Sequence, residues 1–321
     1  GAEARAQSRY HLSKKAADDA LRGLPLRAAI VQPSLVYGAG GGSAALFDRM
    51  AVSPLLPLPA GGRMHVQPVH VDDVVAGIVA LVESPPAGVQ TLVFAGPRPM
   101  PLRAYLADLR HALGEPAPLR VLPVPAALFR ATAAVAGKLP GSLLDAETAG
   151  MLLAGNATHD NALPALLARP PREVRAFVAP DAAEPARRAA VLALWLPFLR
   201  LAVAFLWLWT GIVSLGLYPV ADSYALLARV GLHGALATIA LYGAALFDFA
   251  LGILTLAAPA RWRRPVWLAQ LALMGGYTVL ITLFLPEQWL HPYGPISKNL
   301  PLAAAIALLW ALERPVPRRS D

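Results

Sequence analysis

Cysteine is absent from all 321 residues. That excludes disulfides, thiol nucleophiles and thiolate metal ligands. The seven histidines show no ligand-like spacing, so a metal site has no support. Charge is scarce, at 15% of residues, and acids thin out most: after Ala190 only Asp222, Asp248, Glu287, Glu313 and Asp321 remain. The formal charge of +8 does not come from basic runs interleaved with aromatics, which argues against a nucleic-acid partner. It reads instead as positive charge flanking membrane spans. No internal repeat is evident.

What is present is apolar, at 56% of residues, and concentrated late in the chain. Four stretches stand out: 191–217 (broken only by Arg200), 233–259 (broken only by Asp248), 265–286 and 300–312. A bilayer core about 30 Å thick takes roughly 20 apolar residues per helix, and three of the four reach that length. The fourth reaches only about 20 Å at 1.5 Å per residue. The expectation is a soluble part followed by a four-helix membrane bundle. Arg187 and Arg188, then Arg261, Arg263 and Arg264, then Arg314, Arg318 and Arg319 flank one side of the spans; the other side has Arg229 and Lys298. This imbalance predicts that both termini and the soluble part are cytoplasmic, in a bacterial inner (cytoplasmic) membrane with membrane lipid as partner.

Asp248 lies deep in its span, where a carboxyl costs several kcal/mol unless paired, protonated or wet. Two readings stay open: a proton or quinone headgroup site, or an interhelical ion pair or hydrogen bond that fixes packing, with Arg200 the one opposite charge inside a span. Glu287, His291 and Lys298 form a polar cluster in an outer loop shaped by Pro292, Gly294 and Pro295. The four-span pattern, with His-Pro-Tyr-Gly-Pro and Lys-Asn-Leu-Pro in its last third, resembles the DoxX-like family of small membrane proteins over 191–313. Some relatives are linked to quinone redox chemistry, so the resemblance implies a quinone or another lipid-soluble substrate as a possible partner.

In the soluble part, 8–23 reads as a helix ended by Gly23-Leu24-Pro25. Tyr10 and Lys14 share one face at i, i+4. A nearby ammonium favours phenolate, which suits Tyr10 to acid–base work. A buried strand is predicted over 26–37, leading into Gly38-Ala39-Gly40-Gly41-Gly42. Gly40-Gly41-Gly42-Ser43-Ala44-Ala45 fits the letters of a dinucleotide fingerprint, but after Asp48 the next acid is Asp72, so it reads as a turn. Asp72 and Asp73, ahead of an apolar helix, read as an N-cap and a first-turn acid rather than paired catalytic carboxylates. Strands are expected at 91–95 and 120–124, with helices at 102–113 and 126–137. The segment 163–186, rich in proline, suits a linker or docking segment.

Tyr-x-x-x-Lys, Pro-Ser-Leu-Val-Tyr-Gly and Val-His-Val-Asp-Asp-Val, in this order, resemble the second half of an extended short-chain dehydrogenase/reductase over 1–178. They are especially similar to the atypical branch related to an accessory subunit of respiratory complex I. The resemblance implies NAD(P) as cofactor, with NADPH slightly favoured. It makes Tyr10 the acid/base and has Lys14 hold the nicotinamide ribose and tune Tyr10. The backbone at Pro33, Ser34, Leu35 and Val36 would line the nicotinamide; Gln32 stands where relatives often have Arg.

The family's cofactor-binding elements lie far upstream of this motif. The chain is therefore expected to be the C-terminal portion of a longer protein and to bind NAD(P) poorly by itself. The expected fold class is α/β, a partial Rossmann-type doubly wound fold lacking its N-terminal half, followed by an all-α four-helix transmembrane bundle. The expected organisation is a reductase-like domain over 1–162, a Pro-rich linker over 163–190, the bundle over 191–313 and a basic tail over 314–321. The implied activities are hydride transfer by an oxidoreductase or epimerase-like enzyme, a non-catalytic nucleotide-sensing or assembly scaffold, and a quinone or small-solute site in the bundle.

Overall fold

The computed structural model describes residues 9–136, 149, 150, 153 and 155–313, with side chains from Leu12. Two compact units emerge, Gly1–Leu194 and Trp195–Asp321. The basic tail expected at 314–321, with Arg314, Arg318 and Arg319, lies outside the described residues.

The first unit is α/β. Helix α1 (Arg9–Arg22) precedes strands β1 (Ala28–Pro33) and β2 (Val36–Tyr37), α2 (Gly42–Val52), β3 (Leu56–Pro59), β4 (His65–Val66) and β5 (Val69–His70). Then come α3 (Val71–Glu83), β6 (Val89–Phe94), β7 (Met100–Pro101), α4 (Leu102–Ala112), β8 (Val121–Val124), α5 (Ala126–Ala136) and the short α6 (Leu163–Leu167). Three strand pairs are parallel: β1 with β6 in the register Ala28↔Val89 to Pro33↔Phe94, β2 with β5, and β3 with β8; β4 and β7 pair antiparallel.

The single strand expected over 26–37 is two strands. Pro33 has no N–H to continue the ladder. The Ser34 amide still reaches the Phe94 carbonyl at 2.8 Å, but the Leu35 carbonyl accepts from the Val69 amide at 2.9 Å. The chain thus changes partner from β6 to β5 across Ser34 and Leu35.

A second correction concerns α3. Its N-cap is His70, whose Nδ1 accepts from the Asp72 amide at 3.2 Å, and Asp72 and Asp73 both lie in the first turn. Asp73 is wholly buried. Its Oδ1 pairs with Arg169 Nη2 at 2.7 Å, and its Oδ2 accepts the Arg172 amide at 2.8 Å. These bonds fold the proline-rich segment onto the unit. Leu163 packs with Val69, Val74, Leu81 and Phe94, while Val174 and Phe177 join the core of Tyr37, Leu58, Tyr105 and Leu106. Gly77 leaves room for this: a Cβ there would stand 2.6 Å from Leu163 Cδ1 and 2.7 Å from Phe94 Cε2.

The second unit is helical and apolar. Its elements are α7 (Pro180–Ile212, of which Trp195 onward belongs here), a π-turn at Val213–Leu217, α8 (Val220–Arg229), α9 (Gly234–Ala257), α10 (Ala260–Phe284) and α11 (Asn299–Leu312). Three segments are long and apolar enough to cross a membrane: Pro180–Leu217, Gly234–Ala257 and Ala260–Phe284. The fourth apolar stretch forms the 14-residue α11, about 21 Å long, which falls short of the roughly 30 Å core.

Helices α7 and α9 approach through glycine. A Cβ on Gly211 would lie 2.9 Å from the Ala245 carbonyl oxygen, and one on Gly252 would lie 2.6 Å from Leu208 Cγ. Small residues at such contacts let backbones close up where no hydrophobic effect drives helices together.

Candidate functional site

Positions 10, 14, 18 and 22 repeat at i, i+4 and share a face of α1. The structure fixes where the C-terminal half of that face lies. Arg22 Nη2 donates to Thr91 Oγ1 near the start of β6 at 2.9 Å, and Asp18 Oδ2 accepts from Gln32 Nε2 near the end of β1 at 2.7 Å. From Arg22 to Asp18 the face therefore advances from the N-terminal toward the C-terminal end of the parallel pair. Lys14 and position 10 continue that direction, toward the side where β1 gives way to Pro33, Ser34, Leu35 and Val36. Lys14 is exposed; the Tyr10 side chain lies outside the described residues. Gln32, like Thr91, bonds α1 to the sheet. In open α/β sheets the crevice beyond the carboxyl ends of the strands is where ligands bind.

The loop after β1 is braced by Ser34 together with side chains that sequence reasoning did not single out. Ser34 Oγ donates to the Gln67 carbonyl. Buried Gln67 donates from Nε2 to the Gly96 carbonyl at 2.8 Å and accepts the Thr158 amide at 3.0 Å. Asn161 exchanges bonds with both Ala95 backbone groups, at 3.0 and 3.1 Å, and reaches the Gly96 carbonyl at 3.1 Å. Gly96 is required: a Cβ would sit 1.9 Å from the Pro68 carbonyl oxygen. The only sequence cue was Gln67 inside the Val-Gln-Pro-Val-His motif. Thr158 and Asn161 lie more than sixty positions from the groups they hold.

A second polar group lies beyond β2. Tyr37 donates to Asp48 Oδ1 at 3.0 Å and stacks on Phe177 at 5.2 Å between centroids, with His70 5.4 Å from Phe177. Burial pushes the Asp48 carboxyl up to about 6 against the relief of the Tyr37 bond. Burial also raises the Tyr37 and Tyr105 phenols and lowers the His70 imidazole. The two phenols therefore stay protonated and the imidazole neutral around neutral pH, whereas the Asp48 carboxyl loses its proton as pH rises through about 6.

In the helical unit, Arg200 does not meet Asp248. It pairs with Glu313 at the end of α11 and lies over Trp267, 5.6 Å from the ring centroid. Glu313 also draws Arg263 to 3.9 Å, and Arg264 stacks on Trp310 at 4.6 Å. Buried Gln270 joins three elements, accepting from Trp207 Nε1 at 2.9 Å and donating to Thr255 Oγ1 at 2.7 Å. After α10, Glu287 pairs with Arg229 of α8, and among the described residues no bond joins it to His291 or Lys298; its own backbone amide, then Arg229, hold that carboxyl below its usual range.

Residues 204–307 match the DoxX-like family. A ceramide reductase of Caulobacter vibrioides (strain NA1000 / CB15N) is 37% identical over 86 residues, 26% of this chain and 27% of that protein. The chain thus matches about a quarter of the length of that curated relative. Among solved structures, a nucleoside-diphosphate-sugar epimerase from Staphylococcus aureus overlays with a TM-score of 0.37 at 15% identity, over 52% of this chain and 57% of the other. MoeE5 in complex with UDP-glucose and NAD gives 0.38 at 15% identity, over 59% and 57%. The chain joins a small α/β region to an apolar helical region, and it is the helical region that carries the DoxX-like domain and marks a membrane-associated protein.

Proposed function

We propose that this chain belongs to a membrane-tethered NAD(P)-dependent oxidoreductase acting on a carbonyl group of a membrane lipid, with Tyr10 and Lys14 as its acid–base pair. The carrying observation is the face of α1. Its Asp18 and Arg22 bonds run it toward the carboxyl ends of β1 and β6, where Lys14 and position 10 follow. The name of the Caulobacter relative supplies the substrate class, a ceramide-like lipid whose keto and hydroxyl forms interconvert by hydride transfer. An anchored enzyme suits that substrate, because a long-chain lipid stays in the bilayer. We read 1–162 as the reductase-like part, 163–190 as its connection, 191–313 as the membrane domain and 314–321 as a basic tail. The soluble part then faces the cytoplasm, on the arginine-rich side of the spans.

The residues present fit the nicotinamide-ribose end of the cofactor. Lys14 offers donors to ribose hydroxyls, and the backbone of Pro33, Ser34, Leu35 and Val36, braced by Gln67, offers a fixed wall. When bound, NAD(P)H supplies hydride to the carbonyl carbon. Tyr10 gives its phenolic proton to the carbonyl oxygen in reduction and takes it back in oxidation. The Lys14 ammonium lowers the cost of the phenolate. To test the reading, membranes holding the protein at its natural length are given a long-chain keto amide lipid and deuteride-labelled NADPH or NADH. Deuterium on the new carbinol carbon supports it; cofactor oxidation without label in the lipid defeats it.

A further inference from the structure

Asp248 is 5% exposed, and its Oδ1 has no hydrogen-bond partner among the described residues. Among the other buried polar groups of α9 and α10, the Gln270 and Thr255 side chains are answered, while Trp267 Nε1 and Arg264 Nε are not. Gln270 bonds to Trp207 and Thr255, and the Thr255 hydroxyl donates to the Leu251 carbonyl at 2.7 Å. Because α9 and α10 run antiparallel, the Thr255–Gln270 bond sets their register. Two turns along each helix, about 10 Å, bring Asp248 and Tyr277 to a common level. Half-buried Tyr277 lies within electrostatic reach of Asp248. One residue further, Thr278 donates to the Met274 carbonyl and accepts from Asn299 Nδ2, both at 2.8 Å. The helix pair therefore carries a ladder of polar groups with an open rung at Asp248, about 14 Å from the Ala257 end of α9.

A carboxyl left unanswered adds nothing to packing and lowers stability. The expected ion pair with Arg200 is not made, since that guanidinium is taken by Glu313. We propose that Asp248 and Tyr277 form a binding site within the bundle for the uncharged head of a lipid that carries a hydroxyl or amide donor beside a carbonyl or hydroxyl acceptor. The carboxyl takes the donor, and the phenol gives its proton to the acceptor. The lipid's class rests on the proposed function; the site rests on the bundle alone. A divalent metal ion fits less well, because no second carboxylate lies within the apolar stretches 191–217, 233–259 or 265–286.

The test uses the whole chain in lipid nanodiscs, a long-chain hydroxy amide carrying a diazirine in its acyl chain, and mass spectrometry of the crosslinked peptides. Label is expected on 241–255 and 270–281, with loss of most of it when the probe's hydroxyl and amide are methylated. Asp248→Leu should cut labelling about tenfold and raise the lipid-free melting temperature. Tyr277→Phe, which keeps the ring, should cut it about threefold. Should the leucine variant not fold, Asp248→Asn takes its place, with an expected loss of several-fold. Equal labelling by the methylated probe, wild-type labelling in the Asp248 variants, or a melting temperature lowered in Asp248→Leu would each overturn the site. Labelling without any ketone reduction sinks the enzyme and leaves the site; reduction without labelling does the reverse.

Discussion

The two units treat buried charge in opposite ways. In the α/β unit it is answered from far along the chain. Asp73 meets Arg169 and the Arg172 amide, and buried Arg110 donates to the carbonyls of Ala51, Ser53 and Ala117 while pairing with Glu115 at 3.4 Å. In the helical unit Arg200 and Arg263 draw to Glu313 and Arg229 to Glu287, whereas Oδ1 of Asp248, near mid-span, has no hydrogen-bond partner among the described residues. A polar group that is fully answered holds a fold together; one that is left open is available to something else. The contrast teaches that the buried acids of this chain cannot be read alike: Asp73 is a staple, Asp248 a vacancy.

The sharpest break of the comparison removes the staple. Asp73→Ala removes the carboxylate that Arg169 and the Arg172 amide share and should cost the α/β unit about 2–3 kcal/mol, read as a drop in its denaturant midpoint. Asp248→Leu should instead raise the lipid-free melting temperature. A smaller effect is expected at Gln270→Leu, which unpairs Trp207 Nε1 and takes away the donor to Thr255 Oγ1, and should lower bundle stability by about 1–2 kcal/mol.

Smaller again is Asp48→Asn, and its sign depends on pH. The folded carboxyl titrates at about 6, above its ordinary 3.8, so the folded state holds a proton that the unfolded chain sheds from about pH 4 upward. That contribution favours folding in acid and is lost as pH rises through 6. Asparagine keeps an acceptor for Tyr37 and carries no charge. It should therefore stabilise at pH 8 by about 1 kcal/mol or less, given partial solvent screening, and do nothing at pH 4. Melting curves at the two pH values check it. Least of all, Arg229→Ala removes an exposed pair with Glu287 and should leave the melting temperature unchanged within error.

Much of the fold was legible because it is written locally. The Tyr-x-x-x-Lys helix, extended chain within 26–37 and 91–95 and the apolar stretches follow from periodicity and composition, and β1 and β6 overlap those strand expectations. What was not legible depends on partners distant in the chain. Nothing beside Asp73 announces Arg169, and nothing beside Gln32 announces Asp18. The change of strand partner at Ser34 could have been suspected from Pro33, whose missing N–H ends a ladder. The amphipathic α8 was hidden in a connection read only for its charge. Arg200 was weighed against Asp248 because both lie in spans, whereas the pairing with Glu313 follows from how α7, α10 and α11 meet.

The candidate site was half legible. The motif named Tyr10, Lys14, Pro33, Ser34, Leu35 and Val36, but their supports, Gln67, Thr158 and Asn161, come from three separate segments. Trp207, Gln270 and Thr255 looked like ordinary span residues until the register of α9 and α10 brought them together.

The most direct measurement is the rate of NAD(P)H-dependent reduction of a long-chain keto amide lipid by the membrane-embedded, natural-length protein, wild type against Tyr10→Phe. The account predicts a fall of about 10²–10⁴-fold with cofactor binding and membrane insertion unchanged. Equal rates in the two proteins would contradict it.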